Sequence, residues 1–266
     1  MQQSIKIHPT AIIDVGAEVD GSVVVGPYVV IGSGVSIDSG NVIGPYCHID
    51  GNTTIGKDNI FYRYCSIGSL PQDKKYNGEK TYLQIGSRNT IREFTTFNVG
   101  TSQGGYTTLI GDDNWIMAYV HIAHDCRIGN HITLANSVQL GGHVIVEDWS
   151  VIGGLSGVHQ FSRIGKYTMI GAKSALKQDV PPFVLCGGNP ARPFGINLEG
   201  LKRRGFSEDV ILEIKRAYRI IYRQGFSLQE ACHCLSSYNY KNQDTSDYIK
   251  LIVDFLQNSE RGIIRS

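Results

Sequence analysis

The chain repeats every six residues. A large apolar side chain stands at Ile7, Ile13, Val19, Val25, Ile31, Ile37, Ile43, Ile49, Ile55, Phe61 and Ile67 without a break. The phase resumes at Ile85, Ile91 and Phe97, shifts by one residue, and runs in sixes from Ile110 to Leu176. Glycine commonly follows this position, as at Gly26, Gly44, Gly56 and Gly111, and a small or β-branched residue often stands two before it, as at Val23, Val29 and Cys47. A period of six matches neither the 3.6 of a helix nor the 2.0 of a plain strand. It matches a short strand plus a corner, repeated. Three such faces make a triangular coil of about 18 residues, stacked on its neighbours as a solenoid. The aliphatics fill the prism, and the glycine is expected to serve a tight corner. The fold class is mainly β, a hexapeptide-repeat parallel β-helix.

Two polar, glycine-containing segments interrupt the repeat, near 70–84 and near 100–108. Loops that leave a rigid scaffold are where binding groups usually sit. The hexads stop near Pro181 and Pro182, and 187–193 reads as a linker. Beyond it the period becomes helical. Ile211, Ile214, Tyr218 and Ile221 share one face, after an N-cap at Ser207 with Glu208 and Asp209 in the first turn. Segments 227–235 and 246–256 read as further helices. The expected division is a β-helix over 1–190 and a small α-helical C-terminal domain over 191–266.

A net charge of +1 gives no global attraction to nucleic acid. The cysteines, at 47, 65, 126, 186, 232 and 234, show no disulfide spacing, which favours reduced thiols in a cytoplasm. The first residues carry no apolar core of a secretory signal, and no run of about 18 apolar residues exists. The expectation is a cytoplasmic protein with no nucleic-acid partner and no stable membrane insertion.

Coil stacking places residues 18 apart in columns. His124 then shares a column with Gly142 and Gln160, Asp125 with His143 and Phe161, and His121 with Gln139 and Gly157. His121, His124, Gly142, His143, His159 and Gln160 should gather on one region of the outer surface. A lone surface histidine is usually only solvated; four in adjoining coils, one beside an acid, form a constellation. A carboxylate fixes the tautomer of its histidine and stabilises the imidazolium, which suits a general base near neutral pH. A glycine in the same column leaves an open backbone N–H for an oxyanion. Together these suggest direct acyl transfer, in which a hydroxyl or amine attacks a thioester with no covalent enzyme intermediate. No metal and no cofactor is called for. Separately, Lys202, Arg203, Arg204, Lys215, Arg216, Arg219 and Arg223 face only Glu208, Asp209 and Glu213, a local excess of +4 that would attract an acidic partner or a diphosphate.

Several stretches resemble the UDP-N-acetylglucosamine O-acyltransferases of lipid A biosynthesis, over nearly the full length. They are Ile7-His8-Pro9-Thr10-Ala11, Pro71-Gln72-Asp73-Lys74-Lys75-Tyr76, His121-Ile122-Ala123-His124-Asp125-Cys126, Val158-His159-Gln160-Phe161, Gln178-Asp179-Val180-Pro181-Pro182, and Asn197-Leu198-Glu199-Gly200-Leu201-Lys202-Arg203-Arg204-Gly205-Phe206. The bare hexad is shared by many acyltransferases; the last motif, ahead of a helical tail, is specific. The resemblance implies a left-handed coil. It implies that His124 is the general base toward the glucosamine 3-hydroxyl, that Asp125 orients it and that the Gly142 N–H is the oxyanion donor. Asp73, His121, His143, His159, Gln160, Asn197, Glu199 and Arg203 are implied to contact sugar nucleotide or acyl chain. The implied donor is an (R)-3-hydroxyacyl thioester of acyl carrier protein, docking on basic residues near the tail, the implied acceptor is UDP-N-acetylglucosamine, and the implied assembly is a homotrimer with sites between subunits. Asn98-Val99 departs from the family pattern, where a basic residue commonly follows the first position.

Other readings share the fold. An N-acyltransferase of the same pathway normally carries an extra N-terminal domain, whereas hexads here begin by residue 7. An acetyl-CoA-dependent sugar acetyltransferase fits the helical tail poorly. A zinc carbonic anhydrase-like β-helix would use His121, His124 and His143 as a three-His site. An ice-binding β-helix would need a flat, repetitive Thr face, and the outward positions are irregular. Ala172 occupies the position that the resemblance ties to acyl-chain length, where glycine permits a longer chain. Ala172→Gly should therefore shift preference toward longer acyl donors in a competition assay; an unchanged preference refutes this.

Overall fold

The computed structural model describes residues 6–237 and 243–265. The first five residues, read above for a secretory signal, lie outside the described residues. Three parallel sheets form the faces of a prism. The first face runs from Ile12–Ile13 to Ala175–Leu176, the second from Glu18–Val19 to Arg163–Ile164, and the third from Val24–Val25 to Arg192–Ile196. The chain visits them in that order, so through Ala175–Leu176 each paired strand meets the one three strands later in parallel, mostly 18 residues on: Ile13 opposite Ile31, Val25 opposite Ile43. Backbone N–H and C=O groups are thereby satisfied between coils rather than within a strand. The hexad aliphatics Ile31, Ile49, Ile67, Ile91, Ile122 and Ile152 are fully buried in the prism, together with the smaller residues two before them, such as Val29, Cys47 and Cys65. Each large aliphatic contributes about 1.5–3 kcal/mol by leaving water.

The corner chemistry differs from the expectation. The residue with left-handed backbone is not the glycine but the one three after the aliphatic, and it usually carries a side chain: Tyr46 (φ 59°), Tyr64 (φ 62°), Asp125 (φ 61°) and His143 (φ 62°). The hexad glycine answers a different need, close approach of coils. A Cβ on Gly44 would stand 2.8 Å from the Phe61 carbonyl oxygen, and one on Gly111 2.6 Å from that of Gly129. Corner side chains stack in turn on the corners above and below. Tyr28, Tyr46, Tyr64, Phe94 and Tyr119 form a continuous column with ring centroids 4.9–5.1 Å apart.

A buried ladder of Asn41, Asn59, Asn89 and Asn114 lines one inner edge. Each side-chain carbonyl accepts the main-chain N–H one coil up, from Asn59, Asn89, Asn114 and Ile132 in turn, at 2.8–2.9 Å.

Both interruptions leave at the same edge, between the first and second faces. The first joins Ser66–Ser69 to Tyr82–Ile85, and the second joins Thr96–Asn98 to Thr107–Ile110. The first is shorter than the 70–84 read from composition, because Tyr82–Ile85 is a four-residue strand paired with Asn52–Ile55 and Thr107–Ile110.

The segment read as a linker is the turn of a hairpin. Val184–Gly187 pairs antiparallel with Arg192–Ile196 on the third face, so the sheet extends past residue 191. Four helices follow: α1 (Leu198–Arg203), α2 (Glu208–Arg223), α3 (Leu228–Ser236) and α4 (Gln243–Gln257). Ser207 caps α2 by accepting from the Val210 N–H, and Ser227 with Glu230 forms a capping box on α3. The chain end returns to the prism: the Ile264 N–H donates to the Asp179 carbonyl at 2.9 Å, and Ile264 is buried in the prism core. No helix among the described residues is long and apolar enough to cross a membrane.

Asn89→Ala would leave the Asn114 N–H and the Gly111 carbonyl without their buried partners. It should destabilise the fold by about 2–4 kcal/mol, measured by chemical denaturation; an unshifted midpoint contradicts the role given to the ladder.

Candidate active site

The histidines gather where the first face turns into the second. His121 ends up in register with Gln139, and Gln139 with Gly157. Two residues past the buried Ile122, the His124 ring lies over Gly142. A Cβ at Gly142 would meet the His124 Cε1 at 2.5 Å and Nε2 at 2.6 Å, so only glycine permits this approach. The His143 N–H donates to the His124 carbonyl at 3.0 Å, which locks the two coils in register. The Gly142 N–H has no acceptor among the described residues.

Asp125 is the corner residue beside His124, and its side chain is wholly buried. Its Oδ2 lies 2.8 Å from His124 Nδ1. An ionised carboxylate only accepts, so Nδ1 carries the proton and Nε2 presents a lone pair. Oδ2 also accepts from the Thr101 hydroxyl at 2.6 Å, and Oδ1 from the Thr101 N–H at 2.9 Å. The Asp125 N–H is itself tied to Thr108 Oγ1 at 2.8 Å. Burial alone would raise the Asp125 carboxyl, but the hydrogen bonds from His124 and Thr101 and the nearby His143 outweigh it and hold it below the usual carboxylate value. The neighbouring imidazoles go the other way. Burial pushes His121 down, with His124 adding to the effect. Burial also pushes His143 down, against an opposing pull from Asp125 and Asp73. The site is thus built for one imidazole paired with an anion, flanked by two that favour the neutral form.

The C-terminal third, residues 179–264, matches the family model for domain 2 of UDP-N-acetylglucosamine O-acyltransferases. Residues 107–142 match the bacterial transferase hexapeptide model of six repeats. An acyl-[acyl-carrier-protein]–UDP-N-acetylglucosamine O-acyltransferase of Paraburkholderia phymatum is 55% identical over 260 residues, 98% of this chain and 99% of that protein. The chain belongs to the UDP-N-acetylglucosamine O-acyltransferase family. Solved structures of UDP-N-acetylglucosamine O-acyltransferases agree. That of Moraxella catarrhalis has a TM-score of 0.94 at 43% identity, covering 98% of this chain and 100% of that one. The Arabidopsis UDP-N-acetylglucosamine acyltransferase has a TM-score of 0.81 at 33% identity, over 97% and 99% of the two chains.

Within this O-acyltransferase chain the site residues read from sequence fall in two places. His121, His124, Asp125, Gly142 and His143 cluster at the edge between the first and second faces, with exposed His159 and Gln160 one coil above. Asp73, on the first excursion, faces the same cluster through its charge on His143. Asn197, Glu199 and Arg203 lie elsewhere. They line a cavity of about 800 Å³ with Trp149, Val151 and Met169 on the outside of the third face, opposite that edge. Asn197 is buried and partly committed: its Oδ1 caps α1 by accepting from the Gly200 N–H, and its Nδ2 donates to the Tyr167 carbonyl. Ala172 is exposed at the edge between the third and first faces. Of the basic residues, Arg204 stacks on Trp149 at 5.0 Å and donates to the Gly200 carbonyl.

The three-His zinc arrangement is not formed. His121 Nδ1 is 2.7 Å from Thr96 Oγ1. The donor atoms close enough to share an ion, within 4.8 Å, belong to His124, Asp125 and His143 instead, and Asp125 already serves three donors. Asn98, the departure from the family pattern, is buried and donates to the Ser69 and Leu70 carbonyls at the root of the first excursion. Sequence reasoning missed Thr101, Thr108 and Glu79. The place of the loops was readable, since both interruptions occur at the hexad phase that later carries His124, but no pattern singles out these residues within them.

Proposed function

We propose that this chain transfers an (R)-3-hydroxyacyl group from acyl carrier protein to the glucosamine 3-hydroxyl of UDP-N-acetylglucosamine, the first step of lipid A biosynthesis, with His124 as general base. The observation that carries this is the His124 Nδ1 to Asp125 Oδ2 hydrogen bond of 2.8 Å with the ring seated over Gly142. Nε2 is then free to take the proton of the 3-hydroxyl as its oxygen attacks the thioester carbonyl. The tetrahedral oxyanion takes the unpaired Gly142 N–H. Collapse expels the carrier thiolate, which recovers the proton from His124. Asp125 stabilises the transient imidazolium without itself being protonated, consistent with its lowered pKa. In this reading His121, His143, His159, Gln160 and Asp73 bind the acceptor sugar or the acyl chain, and no step calls for a metal or cofactor.

The active unit in this reading is a homotrimer. One chain carries the histidine edge where the first face meets the second and the Asn197, Glu199 and Arg203 cavity on the third face, as two separate places. A second copy whose third face abuts that edge unites them, and closed cyclic symmetry gives every chain both neighbours.

In an assay of acyl-carrier-protein thioester with UDP-N-acetylglucosamine, His124→Ala should lose about 10²–10⁴-fold in kcat. Full activity in that variant would reassign the base.

A further inference from the structure

The two excursions touch each other, and what they hold is Asp125. The second contains the short turn Ser102–Gly104, with Thr101 at its N-cap position. A threonine there commonly turns its hydroxyl back on the turn, yet Thr101 makes no such bond. It donates outward, through N–H to Asp125 Oδ1 and through Oγ1 to Asp125 Oδ2, and is itself only 3% exposed. The turn is pressed against the carboxylate: a Cβ on Gly104 would lie 2.0 Å from Asp125 Cγ. From the first excursion, Glu79 accepts both the Ser102 N–H at 3.2 Å and the Ser102 hydroxyl at 2.8 Å. Glu79 is held in turn by the Asn77 N–H at 2.8 Å.

The need for such a holder is visible at Oδ2. Two imidazoles compete for it, His124 Nδ1 at 2.8 Å and His143 Nε2 at 3.7 Å. A carboxylate free to rotate about its last bond can serve either. With both oxygens pinned by one residue it serves His124.

We propose that Thr101 is a positioning residue of the acyl transfer, fixing the Asp125 carboxylate toward His124 rather than His143, and that Glu79 clamps the turn that carries it. This rests on the reading of His124 as general base. The two interruptions of the hexad are then one device, in which 70–81 steadies 99–106 and 99–106 orients the dyad.

The test is steady-state kinetics on Thr101→Val, Thr101→Ser and Glu79→Ala, with His124→Ala alongside. The titratable groups facing the dyad are His121, His143 and Asp73, all left in place. Thr101→Val should lower kcat about 10-fold or more while KM for UDP-N-acetylglucosamine stays within about twofold. Thr101→Ser keeps both donors and should restore kcat. Glu79→Ala should lower kcat by a smaller factor, and adding it to Thr101→Val should cost nothing further, because both act through the same carboxylate. If Thr101→Val does not fold, Glu79→Ala decides: lowered kcat at constant KM supports the clamp. Parental kcat in Glu79→Ala, parental kcat in Thr101→Val, or a Thr101→Ser as slow as Thr101→Val, each overturns it. An active His124→Ala overturns the base assignment instead; an inactive His124→Ala beside a parental Thr101→Val overturns only the role of Thr101.

Discussion

Every chemical statement about this protein depends on the coil-to-coil ladder of backbone hydrogen bonds. The main-chain groups of each strand are satisfied almost wholly by the coils above and below, at 2.7–3.0 Å in most rungs. That pairing fixes vertical register, and a slip of one residue would turn every interior aliphatic outward. It also decides which side chains become neighbours. His124 and Gly142 are 18 residues apart and lie in contact because Ile122 pairs with Leu140 immediately below them. The scaffold is stiff for the same reason: interior Ile and Val residues, a buried asparagine ladder and stacked corner rings all repeat the one spacing.

The site exploits an irregularity in that regular body. Corners carry non-glycine residues with left-handed backbone, a conformation that costs about 1–3 kcal/mol each and persists only where the surroundings impose it. Asp125 and His143 are two such corners, stacked one coil apart. Their backbone places one carboxylate between two imidazoles. The two excursions then supply what the hexad cannot, hydrogen-bond donors arriving from outside the prism. The wholly buried carboxylate so formed is anionic because its donors outweigh its burial.

Much of this was legible in the chain itself. The aliphatic period gives the solenoid, and arithmetic in steps of 18 gives the columns that join His121, His124, Gly142 and His143. The glycine rule was misread, because period alone does not separate a residue that needs left-handed backbone from one that needs room; Gly44 needs room, while Tyr46 takes the conformation. Thr101 and Glu79 were not legible, since loop residues have no period and their contacts with Asp125 and Ser102 arise only once the loops are folded against the edge. The hairpin at Val184–Gly187 and Arg192–Ile196 was hidden by its Gly and Pro content, which reads as a linker although the strands pair. The separation of Asn197, Glu199 and Arg203 from the histidine edge follows from which face each hexad occupies, and sequence motifs alone do not state it.

The most direct test of the account is a crystal structure of the protein with its acylated nucleotide-sugar product bound. The account predicts His124 Nε2 within about 2.6–3.2 Å of the ester oxygen on the sugar 3-position, with the Gly142 N–H at similar distance from the ester carbonyl oxygen. An ester bound away from that edge, or a His124 ring turned from Asp125 with product in place, would contradict it.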